Sequence, residues 1–188
     1  PKTIEELANI PEYDLGDILL RPVVYEDYVD MYDYGKDDEV TKTLVWDTYE
    51  DIEDAINAIE NVFLNRPQKE LPAAYAIIDK QDHKMIGTCD FFRVDWVDEI
   101  GEIGYVLHRS YWNKGYMTKA CLSVCAFGFD YLGLKKIEIR HLAENIGSKR
   151  VIEKCGFRYI GEVYFESFNK KIPSYELTVE EFRQLHQK

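Results

Sequence analysis

The sequence predicts one α/β domain, residues 1–188, on a mixed and mostly antiparallel twisted sheet of about seven strands flanked by helices. Three observations predict it. A chain of 188 residues that is 46% hydrophobic buries one sizeable core, whereas two domains of half that length would each be marginal. The runs AAYAIID, MIGTCDFFRVD and EIGEIGYVL are joined by short polar turns, the pattern of an antiparallel meander. Beyond them the pattern runs strand, helix, strand, helix, and that order requires at least one parallel crossover.

Each element has its own signal. DILLRP, residues 17–22, reads as an opening strand closed by Pro22, which cannot donate to a ladder. Tyr25, Tyr28, Val29 and Tyr32 recur at i, i+3, i+4 and i+7, so a first helix is expected to bury that stripe. Thr48 and Asp51 resemble a capping box ahead of Ile52, Ala55, Ile56, Ile59 and Phe63 at helical spacing. Pro67 and Pro72 end that region, and the meander follows, with KQDHK as its first turn. In residues 99–107 the strand period puts Ile100, Glu102, Gly104 and Val106 on one face, leaving Glu102 an acid among apolar neighbours. Met117, Ala120, Cys121, Val124, Phe127 and Tyr131 form the apolar stripe of a second long helix, with Gly133 as its stop. KKIEIRHL is a strand, Asn145 caps a short helix ended by Gly156, and FRYIGEVYFESF and IPSYELTV supply the last two strands.

Composition excludes several function classes. The 35 acidic and 23 basic residues give a formal charge of −12, which opposes a nucleic-acid backbone. Such a field attracts a cationic substrate such as an amine, although solubility alone also accounts for it. The longest apolar run, residues 71–78, is far short of the roughly 20 residues of a membrane span, and PKTIEELANI lacks a signal pattern, so a soluble cytoplasmic chain is expected. Cys89, Cys121, Cys125 and Cys155 show no C-x-x-C pairing, and His83, His108, His141 and His186 show no ligand spacing; reduced core thiols and no metal are expected. Without G-x-S-x-G there is no sign of a hydrolase triad.

The segment with chemical promise is YWNKGYMTKA, residues 111–120, where strand gives way to helix. A helix N-terminus offers unpaired amides and about half a positive charge, which suits an anion when the preceding loop allows close approach. Gly115 permits that approach, Lys114 adds a cation and Thr118 a first-turn hydroxyl. The segment is neither a P-loop nor a dinucleotide fingerprint, and a solvated turn before an ordinary helix would use the same residues.

YWNKGYMTKA resembles the acetyl-coenzyme A pyrophosphate loop of the GNAT N-acetyltransferases, especially the RimJ/RimL-like branch that acts on ribosomal proteins. EIGYVL just before it resembles the family's fourth strand, and NIGSKRVIEKCGF resembles its N-x-x-S-x-R-V-x-x-K-x-G-F segment. YIGEVYFES and SYELTVEEF are similar to its closing strands, so the likeness spans most of the chain. The loop departs from the branch at Asn113, where Gly is usual, at Met117, where a small residue is usual, and at Lys119, where Glu is frequent. Asn tolerates the left-handed backbone, and Met117 can face the core.

The resemblance implies a GNAT-like fold splayed at its fourth and fifth strands, and acetyl-coenzyme A as cosubstrate. Amides from Asn113, Lys114, Gly115, Tyr116, Met117 and Thr118 would cradle the pyrophosphate, Val106 and Leu107 would bond the pantetheine arm as an added strand, and Asn145 would contact it too. Gly104 would mark the bulge that opens the slot. Glu102 becomes the candidate general base, with pairing to a cross-strand Lys or Arg as the equal alternative. The family's usual donor tyrosine is replaced by Ile152, and Ser148 occupies the branch's serine position; a second branch acid is missing, since Ser167 stands there beside Glu166. Trp46, Tyr49 and the first helix lie where the family shapes its acceptor pocket. The implied activity is transfer of an acetyl group to a primary amine of a protein N-terminus, polyamine or small amino compound, with homodimerisation; a noncatalytic coenzyme A sensor or scaffold is the alternative.

Overall fold

The structure is a computed structural model and describes residues 2–186. The chain opens with α1 (Ile4–Ala8), β1 (Tyr13–Asp14) and β2 (Ile18–Pro22), followed by three helices, α2 (Tyr28–Gly35), α3 (Asp38–Thr41) and α4 (Ile52–Ala58). The meander is β3 (Tyr75–Asp79), β4 (Lys84–Asp95) and β5 (Ile100–Leu107). Then come α5 (Tyr116–Asp130), β6 (Lys136–Arg140), α6 (Ile146–Lys154), β7 (Arg158–Phe165), β8 (Lys170–Thr178) and α7 (Val179–His186).

Among the described residues, eight strands form one open sheet in the order β1-β2-β3-β4-β5-β6-β8-β7, in which only β5 and β6 run parallel. The eighth strand is the two-residue β1, too short to leave a periodic signal, which pairs Tyr13 with Leu20. One face packs against α5, joining Cys89, Phe91, Ile103, Phe127 and Leu177; the other packs against α2 and α4, joining Met31, Tyr34, Ile59, Met85 and Val106. All four cysteines are buried free thiols in the α5 layer, as small hydrophobes would be.

Two helices differ from expectation. The stripe of Tyr25, Tyr28, Val29 and Tyr32 is not the buried face, since Tyr25 and Val29 are exposed while Met31, Tyr34 and Gly35 are buried. Tyr25 belongs to a separate 3-10 turn, and α2 is docked on β4 through Asp30, whose carboxylate accepts from Met85 N at 3.1 Å. Tyrosine occupies both sides of this helix, so spacing alone chose the wrong one. In α4 the cap is Asp51, paired with Asp54, one turn after the predicted Thr48. Its apolar run continues into a π-turn, Ile59–Phe63.

The sheet is splayed at the parallel pair. β5 meets β6 only at Ile100–Lys136, Gly101–Ile137 and Glu102–Glu138, after which residues 103–107 pair with β4 alone. The bulge lies in β4, where Phe92 is the extra residue between the Phe91–Ile103 and Arg93–Glu102 pairs, and not at Gly104 as the sequence suggested. Gly104 is instead the place where the Phe92 ring lies over the backbone; a Cβ there would come within 3.2 Å of it.

Candidate active site

The turn between β5 and α5 is shaped by its backbone. His108 N donates to Ile86 O at 2.7 Å, and Trp112 Nε1 donates to Leu107 O at 2.8 Å, which pins the loop to the strand end. Asn113 (φ 63°) and Gly115 (φ 77°) both take left-handed backbone, as their residue types allow. A Cβ on Gly115 would meet nothing within 4 Å, so the glycine is needed for its dihedral and not for space. Gly115 is the N-cap of α5, and no side chain caps it. The amides of Tyr116, Met117 and Thr118 therefore point outward without a side-chain acceptor, at the positive end of a 15-residue helix. Lys114 Nζ sits 5.4 and 5.9 Å from the stacked rings of Tyr111 and Tyr116, keeping a cation beside those amides. The Met117 side chain is buried in the core. These features fit a pyrophosphate.

Backbone groups alternate along an antiparallel strand. Because His108 N points to β4, the polar groups of Val106 turn to β4 as well, and those of Tyr105 and Leu107 turn to the open side of the splay. The Leu107 N–H can thus bond an added strand directly, its carbonyl already accepting from Trp112 Nε1, whereas Val106 offers its side chain.

A cavity of about 460 Å³ opens into the splay, and Glu102, Gly104, Val106, Asn145 and Ser148 all line it. Part of its wall is aromatic: Trp46 stacks on Tyr49 with centroids 5.0 Å apart, and Phe63, Phe92, Phe165 and Phe168 line it among aliphatic residues. Burial pushes the Tyr49 hydroxyl up to about 12. Asn145 Oδ1 accepts from Ser148 N at 3.0 Å, capping α6, while its Nδ2 donates to Thr43 Oγ1 at 3.2 Å and ties α6 to the loop after α3. Ser148 Oγ and Tyr105 OH share a hydrogen bond of 2.7 Å. Burial holds the Tyr105 hydroxyl well above the usual phenol range.

Glu102 is 2% exposed and is an ion-paired carboxylate rather than one in apolar surroundings. Arg93 bonds its Oε1 across the β4 bulge, and Arg140 Nη1 lies 2.7 Å from the same oxygen, off hydrogen-bond alignment. Arg93 is 59% exposed, so it is the looser partner. Among the residues that the sequence did not single out, Tyr105, Asp90, Arg66 and Arg140 also line this cavity. Asp90 had a faint signal as an acid inside the apolar run TCDFF; Arg66 and Arg140 had none.

Residues 17–158 match the family described as the acetyltransferase (GNAT) domain. The chain belongs to the GNAT acetyltransferase family. This GNAT domain is 32% identical over 145 residues, 77% of the chain and 80% of the relative, to the Uncharacterized N-acetyltransferase p20 of Bacillus licheniformis. Its fold matches RimL, the ribosomal L7/L12 alpha-N-protein acetyltransferase solved with coenzyme A, at a TM-score of 0.76 and 16% identity, covering 88% of this chain and 96% of that one. It matches the spermidine N-acetyltransferase of Vibrio cholerae, solved with CoA and spermine, at 0.74 and 16% identity, covering 88% and 98%. The GNAT chain has no helix long and apolar enough to cross a membrane among its described residues.

Proposed function

We propose that this protein is an acetyl-coenzyme A dependent N-acetyltransferase whose acceptor is a primary amine, and that the amine attacks the thioester directly. The observation that carries the reading is the uncapped N-terminus of α5 lying at the end of the same splay that opens into the cavity of Glu102. Acetyl-coenzyme A supplies the activated acetyl group. The first-turn amides and Lys114 hold its pyrophosphate, and Leu107 and Tyr105 offer backbone groups to its pantetheine arm, with Asn145 alongside.

An attacking amine must first lose a proton from an ammonium whose free pKa is near 8 for an α-amino group or above 10 for lysine. Glu102 takes that proton, through a water, after the incoming ammonium displaces the exposed Arg93. As the N–C bond forms and the C–S bond breaks, the departing thiolate receives a proton from the hydrogen-bonded hydroxyls of Ser148 and Tyr105, and the second proton that the nitrogen sheds on becoming an amide restores that pair through solvent. Ile152 is wholly buried in the core, so its position contributes no donor. The RimJ/RimL-like reading carries with it a cytoplasmic homodimer, which sedimentation at several concentrations tests.

Calorimetric titration with acetyl-coenzyme A, with ATP as comparison ligand, is the first experiment, followed by thiol release over a panel of amines. Selective binding and release support the enzyme. Binding without release over the whole panel would turn the reading into that of a sensor, and no binding would end it.

A further inference from the structure

The cavity holds a second ion pair, which the acetyl-transfer chemistry does not use. Arg66, just beyond the π-turn, and Asp90 on β4 are each 6% exposed. Arg66 Nη1 donates to Asp90 Oδ2 and to Phe91 O, the latter at 2.9 Å. A buried ion pair rarely stabilises a fold better than apolar residues of the same size, so its place in a cavity wall calls for a use. The other edge of the guanidinium, Nε and Nη2, has no hydrogen-bond partner among the described residues, yet neither atom is sealed from solvent as Arg140 Nε is. That edge is the side-on fork which meets a carboxylate through two parallel bonds.

Resting on the acetyltransferase reading, we propose that Arg66 recognises the carboxylate of the acceptor, and that the acceptor is a small amino-acid-like zwitterion with an apolar or aromatic frame. Its carboxylate meets the free edge of Arg66, its frame lies on the aromatic wall beside Phe63, and its amine reaches toward Glu102. Arg66 and Arg140 balance Asp90 and Glu102 along the wall, which matches a neutral zwitterion and leaves a polycation no surplus of acids inside the cavity.

The test compares phenylalanine and leucine with their carboxamides, which keep amine and frame but lose the carboxylate. Each is titrated calorimetrically into protein saturated with coenzyme A, and each is assayed for thiol release with acetyl-coenzyme A. The acids should bind at least about tenfold more tightly than the amides, the scale of a charge-assisted pair of hydrogen bonds. The double variant Arg66→Gln/Asp90→Asn, which leaves no buried ion unpaired, should reduce that preference below about twofold, and Arg66→Lys should keep only part of it. Equal or weaker binding of the acids to the unaltered protein, no binding of either, or a preference that survives the double variant overturns the proposal. Acetylation of other amines without preference for the acids removes the subsite and leaves the acetyltransferase standing. Binding of the acids without acetyl transfer does the reverse.

Discussion

The turn from Leu107 to Thr118 and the cavity beside it are built from different materials. The turn is backbone: two left-handed residues and the bare amides of a helix start, all within one contiguous segment. The cavity is side chains: Glu102 from β5, Asp90 from β4, Arg66 from beyond α4, Arg140 from β6 and Ser148 from α6. A backbone site tolerates a change of side chain wherever the dihedrals survive, and so Asn113, Met117 and Lys119 can depart from the branch's usual residues without altering the turn. A side-chain site has no such latitude, since Glu102, Asp90 and Arg66 are buried charges that each depend on a partner.

That contrast can be broken at several points. The largest effect should come from Glu102→Gln, which is expected to lower turnover by about a hundredfold to a thousandfold while leaving acetyl-coenzyme A affinity within about twofold. Calorimetry alongside thiol release checks it. Unchanged turnover would remove Glu102 from the mechanism, and the loss of its charge beside Arg140 should also lower the melting temperature.

Gly115→Val comes next. A β-branched residue at φ 77° strains the backbone by about 1–2 kcal/mol, so the dissociation constant for acetyl-coenzyme A should rise by roughly five- to thirtyfold. An unaltered constant would mean the turn is not the pyrophosphate cradle. Ser148→Ala should lower kcat by about tenfold with the Michaelis constant for acetyl-coenzyme A preserved, and an unchanged kcat would pass the donor role to Tyr105.

The pH dependence follows from Tyr105. Its folded-state pKa is raised by burial, so the stabilisation from its neutral form is fully present below the unfolded phenol value of about 10 and is lost as pH rises toward the folded value. Turnover should therefore show no alkaline fall below about pH 10. A fall near pH 8 that Tyr105→Phe abolishes would break the assignment. The smallest effect belongs to Asn113→Gly, which relieves a left-handed side chain and should change stability by no more than about 1 kcal/mol, read from the urea midpoint.

Much of this was legible beforehand. The meander, the crossover and the cap at Asn145 were readable, because hydrophobic period and turn chemistry act over a few residues, while the splay was expected only from the family resemblance. The buried side of α2 was not readable, since tyrosine sits on both of its faces and only docking on β4 chose between them. Gly104 is where the sequence places a bulge, yet the extra residue is Phe92 on the neighbouring strand, a matter of register between strands rather than of either sequence.

The sequence by itself determined the fold class, the turn that leads into α5 and the place of Glu102 on its strand, all local consequences of spacing and backbone preference. Only the tertiary structure decided what Glu102 touches. Arg93 and Arg140 lie 9 residues before it and 38 after it, and Arg66 meets Asp90 across 24 residues. Charge attraction falls off with distance in space and not along the chain, so these pairs exist only once the fold has brought β4, β5 and β6 side by side and laid the segment after α4 against β4.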